Sequence, residues 1–126
     1  MSCFVVYKSD GMYACTTRKI GDSFPFGFPG GKVKESETLK DCVFRECKEE
    51  GWIFQYIEEE YFYKEIVDNH PVYYFRAFGN YFKLSEYDEK NKITPIFLEK
   101  EDIEKCFNNK TVIEKYTSLK PLYVSK

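Results

Sequence analysis

GKVKESETLKDCVFRECKEEGWI, residues 31–53, is the most informative stretch of this chain, because its second half places three glutamates at helical spacing. Glu49 and Glu50 follow Glu46 by three and four residues, so a helix would bring the three side chains together. At about 100° per residue, Glu46 and Glu50 also fall on the apolar side of that helix. Carboxylates that face a protein interior are unfavourable unless a positive charge meets them, and Mg²⁺ or Mn²⁺ suits oxygen ligands. The spacing therefore predicts an acidic metal site.

A glycine-rich turn precedes this helix. Residues 28–32 read Phe-Pro-Gly-Gly-Lys, and a turn of this kind that leads into a helix exposes backbone groups that can meet phosphate or metal. Adjacent glycines also permit a close backbone approach that other residues resist. Glu37 follows Gly31 by six residues, and Arg45 stands directly before Glu46. The turn and the acidic helix together form one candidate site.

These positions resemble the Nudix box, whose pattern is G-x5-E-x7-R-E-U-x-E-E-x-G-U with U an aliphatic residue. The positions that match the pattern at the right spacing are Gly31, Glu37, Arg45, Glu46, Glu49, Glu50 and Ile53. Two positions depart from it. Cys47 replaces the first aliphatic residue, as a buried thiol can, and Trp52 stands where the second glycine belongs, with Gly51 one position early. We expect Gly51 to end the helix and Trp52 to begin the next strand.

The resemblance to the Nudix family implies a fold and a metal site. The family fold is an α/β/α sandwich around a mixed β-sheet, and its active site uses a divalent cation. By resemblance, the carbonyl of Gly31 and the carboxylates of Glu46, Glu49 and Glu50 would hold Mg²⁺ or Mn²⁺. Hydrolysis of a pyrophosphate suits such a site, because a metal neutralises phosphate oxygens and lowers the pKa of a bound water.

The same resemblance assigns roles around the metal. Glu46 would orient or deprotonate the attacking water, and Arg45 and Glu37 would fix the carboxylates. In related enzymes a further acid from a later loop can serve as the base, and Glu89 and Glu86 are the candidates for that role in this sequence.

Substrate binding is assigned to residues beside the turn. Arg18, Lys32 and the backbone of Gly30 are the candidates to meet substrate phosphates, although a solvated surface role for Arg18 remains open. The resemblance implies a nucleotide-type small molecule: a nucleoside triphosphate, or a nucleoside diphosphate linked to another group. Alternatives are an RNA 5′-end or cap, a nucleotide sugar, a non-catalytic nucleotide-binding module of the same fold, or an interaction domain whose acidic helix is a solvated face.

Length and composition limit the other possibilities. With 126 residues and a mass of 15.0 kDa, the chain is expected to be a single domain over 1–126. The net charge of −2 argues against a long nucleic-acid partner on electrostatic grounds. No long apolar run or leader pattern occurs, so we expect a cytoplasmic protein without a membrane span. The five cysteines, which include no C-x-x-C pair, are expected to be reduced thiols in the core. The oligomeric state stays open.

Periodicity and turn signals predict the remaining elements. Strands are predicted over residues 3–8, 12–18, 53–66, 72–78 and 93–98, with a break near 58–60. A helix is predicted over 38–50, and residues 101–107 and 111–119 are predicted to form one or two helices. Asp10-Gly11 indicates a hairpin between the first two strands. Ser36 is the expected N-cap of the first helix, and Thr111 is expected to open a capping box in the last.

Overall fold

The computed structural model describes residues 1–18, 26–84, 93–105 and 109–120. The strands are β1 (Ser2–Val6), β2 (Lys8–Ser9), β3 (Met12–Arg18), β4 (Phe26–Gly27), β5 (Gly30–Lys32), β6 (Trp52–Ile57), β7 (Tyr63–Val67), β8 (His70–Lys83) and β9 (Ile93–Glu99). The helices are α1 (Leu39–Glu49), α2 (Lys100–Ile103) and α3 (Asn109–Thr117). The break predicted near 58–60 within the strand over 53–66 is confirmed, since β6 and β7 are separate strands.

The strands form two sheets. In the larger sheet the order is β5-β1-β8-β6, with β7 also paired to β8, and in the smaller sheet β3 lies between β2 and β4 and also pairs with β9. β1 and β8 run parallel, whereas the other pairs are antiparallel. The larger sheet is therefore mixed, as predicted. β1 is a central strand of this sheet, and its residues are buried on both faces.

Helices cover both faces of the sheets, which confirms the predicted α/β/α arrangement. One core cluster joins the apolar side of α1 to the larger sheet, where Cys42, Val43 and Cys47 pack with residues such as Val5 and Phe75. A second cluster joins α2 and α3 to the opposite side; its helical members are Ile103, Val112 and Ile113. Cys3, Cys15, Cys42 and Cys47 are buried, in agreement with the expected core positions, and Cys106 lies outside the described ranges.

The predicted hairpin between residues 3–8 and 12–18 is only partly right. The Asp10-Gly11 turn joins β3 to the short strand β2, where Lys8 pairs with Tyr13. β1 leaves this ladder and pairs with β5 and β8 in the other sheet. The chain changes sheets at Tyr7, whose side chain is buried and donates its hydroxyl to the carbonyl of Gly79 at 2.6 Å. The side chains of β1 are buried on both faces, so the strand is more favourably placed at the centre of the larger sheet, where both faces are covered.

The ends of α1 also differ in part from the prediction. Thr38, not Ser36, is the N-cap: its hydroxyl oxygen accepts the backbone N–H of Asp41 at 3.1 Å. Ser36 has a φ of 65°, which is not the extended conformation that an N-cap residue needs. At the other end, Gly51 follows the helix with a φ of 91°, as a glycine at this position does. Trp52 then begins β6 as expected.

The predicted capping box at Thr111 is wrong. α3 already begins at Asn109, so Thr111 lies within the first turn of the helix and cannot be its N-cap, which precedes the first helical residue. β9 and α3 lie close to their predicted positions, whereas α2 is shorter than predicted: it ends at Ile103, and residues 104–105 form a turn. No helix within the described ranges is long and apolar enough to span a membrane.

Trp52 occupies the centre of the core rather than a loop. Its side chain is fully buried, and its indole N–H donates to the carbonyl of Cys15 at 3.0 Å. The ring stacks on Phe54 with a centroid distance of 5.5 Å and meets the edge of Phe97 at 5.1 Å. Trp52 therefore connects β6 to β3 and β9. Gly51, one position earlier, ends the helix in place of the second glycine of the Nudix pattern.

Replacing Trp52 with glycine, the residue of the Nudix pattern, should lower the free energy of unfolding by at least about 3–5 kcal/mol, because it empties a large buried site. Trp52→Phe should cost much less, since it keeps a ring and gives up mainly the hydrogen bond to Cys15, a contribution of about 1 kcal/mol. Urea unfolding followed by circular dichroism measures both. A glycine variant as stable as the wild type would contradict the assignment of Trp52 to the core.

Candidate active site

The site is built where the C-terminal end of α1 meets the turn before β5. Glu50, the residue after the helix, is buried, with a relative exposure of 8%. Its Oε1 accepts the backbone N–H of Gly30 at 2.9 Å and lies 3.5 Å from the hydroxyl of Thr16 on β3. Burial, together with the negative charge of Glu46, raises the pKa of Glu50 to about 7, although the hydrogen bond from Gly30 and the charge of Arg18 lower it. A positive charge at this point would favour the carboxylate form.

Glu46 lies one turn earlier and contacts the same glycine pair. A Cβ atom added to Gly31 would stand 2.5 Å from Oε2 of Glu46, so the carboxylate occupies the space that any side chain at Gly31 would need. The Glu46 side chain is 18% exposed. The close approach explains why a glycine stands at this position, and it brings the carboxylates of Glu46 and Glu50 to adjacent residues of β5.

Arg45 holds the surrounding groups in place. Its guanidinium binds Glu37 with two hydrogen bonds, from Nε at 2.7 Å and from Nη2 at 2.9 Å. Nη1 donates to Glu46 at 2.8 Å, and Nη2 also donates to the carbonyl of Lys32 at 3.0 Å. The hydrogen bond from Arg45, with that from the backbone N–H of Lys34, lowers the pKa of Glu37 to about 2. Arg45 therefore joins α1, β5 and the loop between them.

Glu49 is placed differently from the other two glutamates. Its side chain is 55% exposed and contacts Nη1 of Arg45 at 3.4 Å. Within the described ranges, no three His, Cys, Asp or Glu side chains stand close enough to hold a metal ion. The structure therefore brings Glu46 and Glu50 together at β5 and leaves Glu49 on Arg45.

The predicted substrate-binding residues surround these carboxylates. Arg18 is exposed at the end of β3, near enough for its charge to act on Glu50. Lys32 is exposed at the end of β5, and its carbonyl is the group that Arg45 binds. The N–H of Gly30 is donated to Glu50 and is thus already used within the protein. Glu86 and Glu89 lie outside the described residues.

Sequence reasoning missed Thr16 as a neighbour of Glu50. Thr16 is nearly buried on β3, and its hydroxyl faces the carboxylate. The alternation of β3 does place Thr16 on the same side as Ala14, which is a core residue. The sequence carries no sign, however, that β3 would pass beside the end of α1, because that contact depends on the packing of the two sheets.

The arrangement can support chemistry on phosphates. Two carboxylates share a partly enclosed site, and cationic side chains stand at its rim. The carboxylates can accept protons or bind a hard cation, whereas the lysine and arginine can bind phosphate oxygens. The site can therefore hold an anionic substrate only if a cation offsets the negative charge of the glutamates.

Solved structures of similar fold are numerous, although the sequences have diverged. A crystal structure described as an ADP compounds hydrolase aligns with a TM-score of 0.69 at 16% identity, covering 92% of this chain and 70% of that chain. A MutT structure from a study of Aliivibrio salmonicida and Vibrio cholerae aligns with a TM-score of 0.65 at 16% identity, covering 94% and 97%. A MutT Nudix hydrolase from Burkholderia pseudomallei gives 0.59 at 20% identity, covering 94% and 96%.

Comparison with the family model is more specific than the structural likeness. No curated protein matches the sequence significantly. The model of the NUDIX domain, in contrast, matches residues 1–116, which includes β5, α1 and every described residue of the candidate site. The chain belongs to the Nudix hydrolase family.

Proposed function

We propose that residues 1–126 form one Nudix hydrolase domain that acts as a metal-dependent pyrophosphohydrolase. Nudix hydrolases generally cleave substrates that contain a linked nucleoside diphosphate, and they generally use divalent metal ions. The proposed reaction is cleavage of the diphosphate linkage in a nucleoside triphosphate, or in a nucleoside diphosphate joined to another group, with release of a nucleoside monophosphate. The buried carboxylate of Glu50, with Glu46 beside it, is the observation on which this proposal depends.

The residues at the site fit a hard divalent cation. The carboxylates of Glu46 and Glu50, together with the carbonyl of Gly31, offer only oxygen ligands, which Mg²⁺ and Mn²⁺ prefer. The pKa of Glu50 is raised by burial and by Glu46, so a cation would stabilise its charged form. Gly31 carries no side chain that would fill the space beside Glu46. Glu49 would complete the set by leaving Arg45, as its exposure permits.

A bound cation would neutralise phosphate oxygens and lower the pKa of a water molecule. The protein residues then have separate tasks. Glu46 would orient that water or accept its proton, and Arg45 would hold the Glu46 carboxylate through the hydrogen bond at 2.8 Å. Glu37 would in turn fix Arg45 through its two hydrogen bonds. Glu89 and Glu86 remain the candidates for a separate base.

Substrate phosphates would reach the site from the exposed side. Lys32 and Arg18 are exposed at the ends of β5 and β3 and would bind the phosphate oxygens that the cation does not contact. The N–H of Gly30 is already donated to Glu50. Gly30 would therefore assist only by letting the phosphates come close to its backbone.

The substrate class rests on two kinds of relative. One similar structure is described as an ADP compounds hydrolase and others as MutT, which supports testing nucleotide sugars and other diphosphate-linked compounds beside nucleoside triphosphates. A non-catalytic nucleotide-binding module would have no need for a buried carboxylate that destabilises the fold when charged. An RNA 5′-end or cap finds less support, because the net charge is −2.

Mn²⁺ should bind the wild type, raise its melting temperature by mass action and bind at least about tenfold more weakly to the double variant Glu49→Gln/Glu50→Gln. Calorimetric titration measures the affinity. Glu59→Gln is the matched control, since the Glu59 side chain is 90% exposed. A glutamine amide at position 50 keeps an oxygen for the N–H of Gly30, so the metal-free variant should remain folded. Equal Mn²⁺ affinity in the wild type and the double variant would remove these residues from the metal site.

Glu46→Gln should lower kcat by about 10²- to 10⁴-fold, with a much smaller effect on KM, because it removes the group that orients or deprotonates water. Steady-state kinetics on the substrate found by a nucleotide screen measure this, with Glu35→Gln in the exposed loop as control. A loss below about tenfold in a folded, metal-loaded variant would transfer the role to Glu89 or Glu86.

Hydrolysis in ¹⁸O-labelled water should place the label on a phosphorus atom of the former P–O–P linkage, and a nucleoside monophosphate should be released. A diphosphate presents two adjacent anionic groups that one cation can bridge, whereas a monoester presents one. Mass spectrometry of the products locates the label. If p-nitrophenyl phosphate were hydrolysed as fast as every nucleotide tested, the enzyme would be a phosphomonoesterase.

A further inference from the structure

A pocket opens between the first turn of α1 and the connection from β6 to β7. Its volume is about 610 Å³, which lies within the range of about 300–1,000 Å³ found for small-ligand sites. Glu46 and Glu50 are not among the described residues that line it. We call it the Tyr61 pocket, and its lining includes Leu39, Lys40, Glu59, Glu60, Tyr61 and Phe75.

The ring of Tyr61 is a held but accessible part of this pocket. Its centroid lies 4.9 Å from that of Tyr73 and 6.4 Å from that of Phe75, and both contacts are edge-to-face. Such contacts fix the orientation of a ring, yet Tyr61 remains 45% exposed. Phe75 is buried and Leu39 packs against the core, so the floor of the pocket is apolar.

Ammonium groups of the protein lie over the neighbouring rings. The Nζ atom of Lys64 is 5.3 Å from the ring centroid of Tyr73, and that of Lys40 is 5.6 Å from the ring centroid of Phe44. The negative face of an aromatic ring attracts a cation at such distances. Tyr61 has no lysine or arginine over its ring in the described ranges. The ring that lines the pocket can therefore accept a cation from outside the protein.

The charges that line the pocket do not balance. Lys40 binds Glu59 at 2.9 Å and so connects the first turn of α1 to the segment after β6. Glu60, the next residue, forms no ion pair with any described residue. One ammonium group and two carboxylates thus line the pocket, and the carboxylate of Glu60 is left unmatched beside the ring of Tyr61.

We propose that the Tyr61 pocket binds a small organic ammonium ion, of the class of the alkyl amines and diamines. The ammonium group would contact the carboxylate of Glu60 and the ring of Tyr61, which both attract positive charge. The alkyl part would pack on Leu39 and Phe75. An anionic nucleotide would instead be repelled by Glu60, so this pocket takes a different class of ligand from the glutamate site.

The Tyr61 pocket is separate from the glutamate site. A helix rises about 1.5 Å per residue, so Glu46 lies roughly 10 Å along the axis of α1 from Leu39. Glu46 and Glu50 also face β5, whereas the pocket lies towards Phe75 on β8. Binding of an amine can therefore be tested in the metal-free protein, whether or not the proposed function is correct.

Titration of the ¹⁵N-labelled, metal-free protein with 1,4-diaminobutane, followed by NMR, locates the binding site. The backbone amide signals of residues 39–40 and 59–61 should shift in a saturable way, with a Kd of about 1 mM or lower. Neutral 1,4-butanediol, which has the same alkyl chain, should bind at least about fivefold more weakly, because it lacks the charge. Equal binding of the diol, an absence of saturable shifts, or shifts confined to the residues around Glu46 and Glu50 would overturn the proposal.

Substitutions separate the contributions of the ring and the carboxylate. Tyr61→Leu should raise the Kd for 1,4-diaminobutane by about two- to fivefold, whereas Tyr61→Phe should leave it nearly unchanged, because phenylalanine keeps the aromatic face.

Glu60→Gln should raise the same Kd by about two- to fivefold. Glu101→Gln is the matched control, since Glu101 is exposed on α2, which packs on the opposite side of the larger sheet. Thermal melting checks that all variants are folded. If Glu101→Gln weakened binding as much as Glu60→Gln, or if Tyr61→Phe weakened it as much as Tyr61→Leu, the assigned contacts would be wrong.

Discussion

The hydrogen bond from the N–H of Gly30 to the buried carboxylate of Glu50 is the contact on which the arrangement of the site depends. It fixes the C-terminal end of α1 against β5, and the same approach brings Glu46 against Gly31. Removing a carboxylate from water is unfavourable, so burial of the charged Glu50 side chain lowers the stability of the fold. This cost is offset by the hydrogen bond from the backbone and would be offset further by a cation, which couples the stability of the site to its ligand.

Arg45 holds this end of the helix in place. A guanidinium binds a carboxylate through two parallel hydrogen bonds, and Glu37 uses both. The remaining donors of Arg45 reach Glu46 and the backbone of β5. The loop, the strand and the helix are thereby held in one geometry, so that small displacements of one element are resisted by the others.

α1 therefore has three different sides. One side is apolar and packs through Cys42, Val43 and Cys47 on the larger sheet. A second carries Glu46 and Glu50 towards β5, and the third leaves Phe44 exposed beside the edge of β6. An amphipathic helix usually exposes a polar side to water, and on this side of α1 Phe44 stands among the charged residues Lys40, Asp41 and Lys48.

The sequence alone determined the elements whose signals are local. The spacing of Gly31, Glu37 and the residues of α1 predicted the helix, its turn and the family, and the Asp10-Gly11 turn was predicted correctly. Signals of this kind depend on neighbours along the chain. The tertiary structure decided which sheet receives β1, why Trp52 replaces a loop glycine, and that Thr16 meets Glu50 while Glu49 remains on Arg45. These features depend on contacts between residues far apart in sequence, where burial and packing, rather than local conformational preference, select the partner.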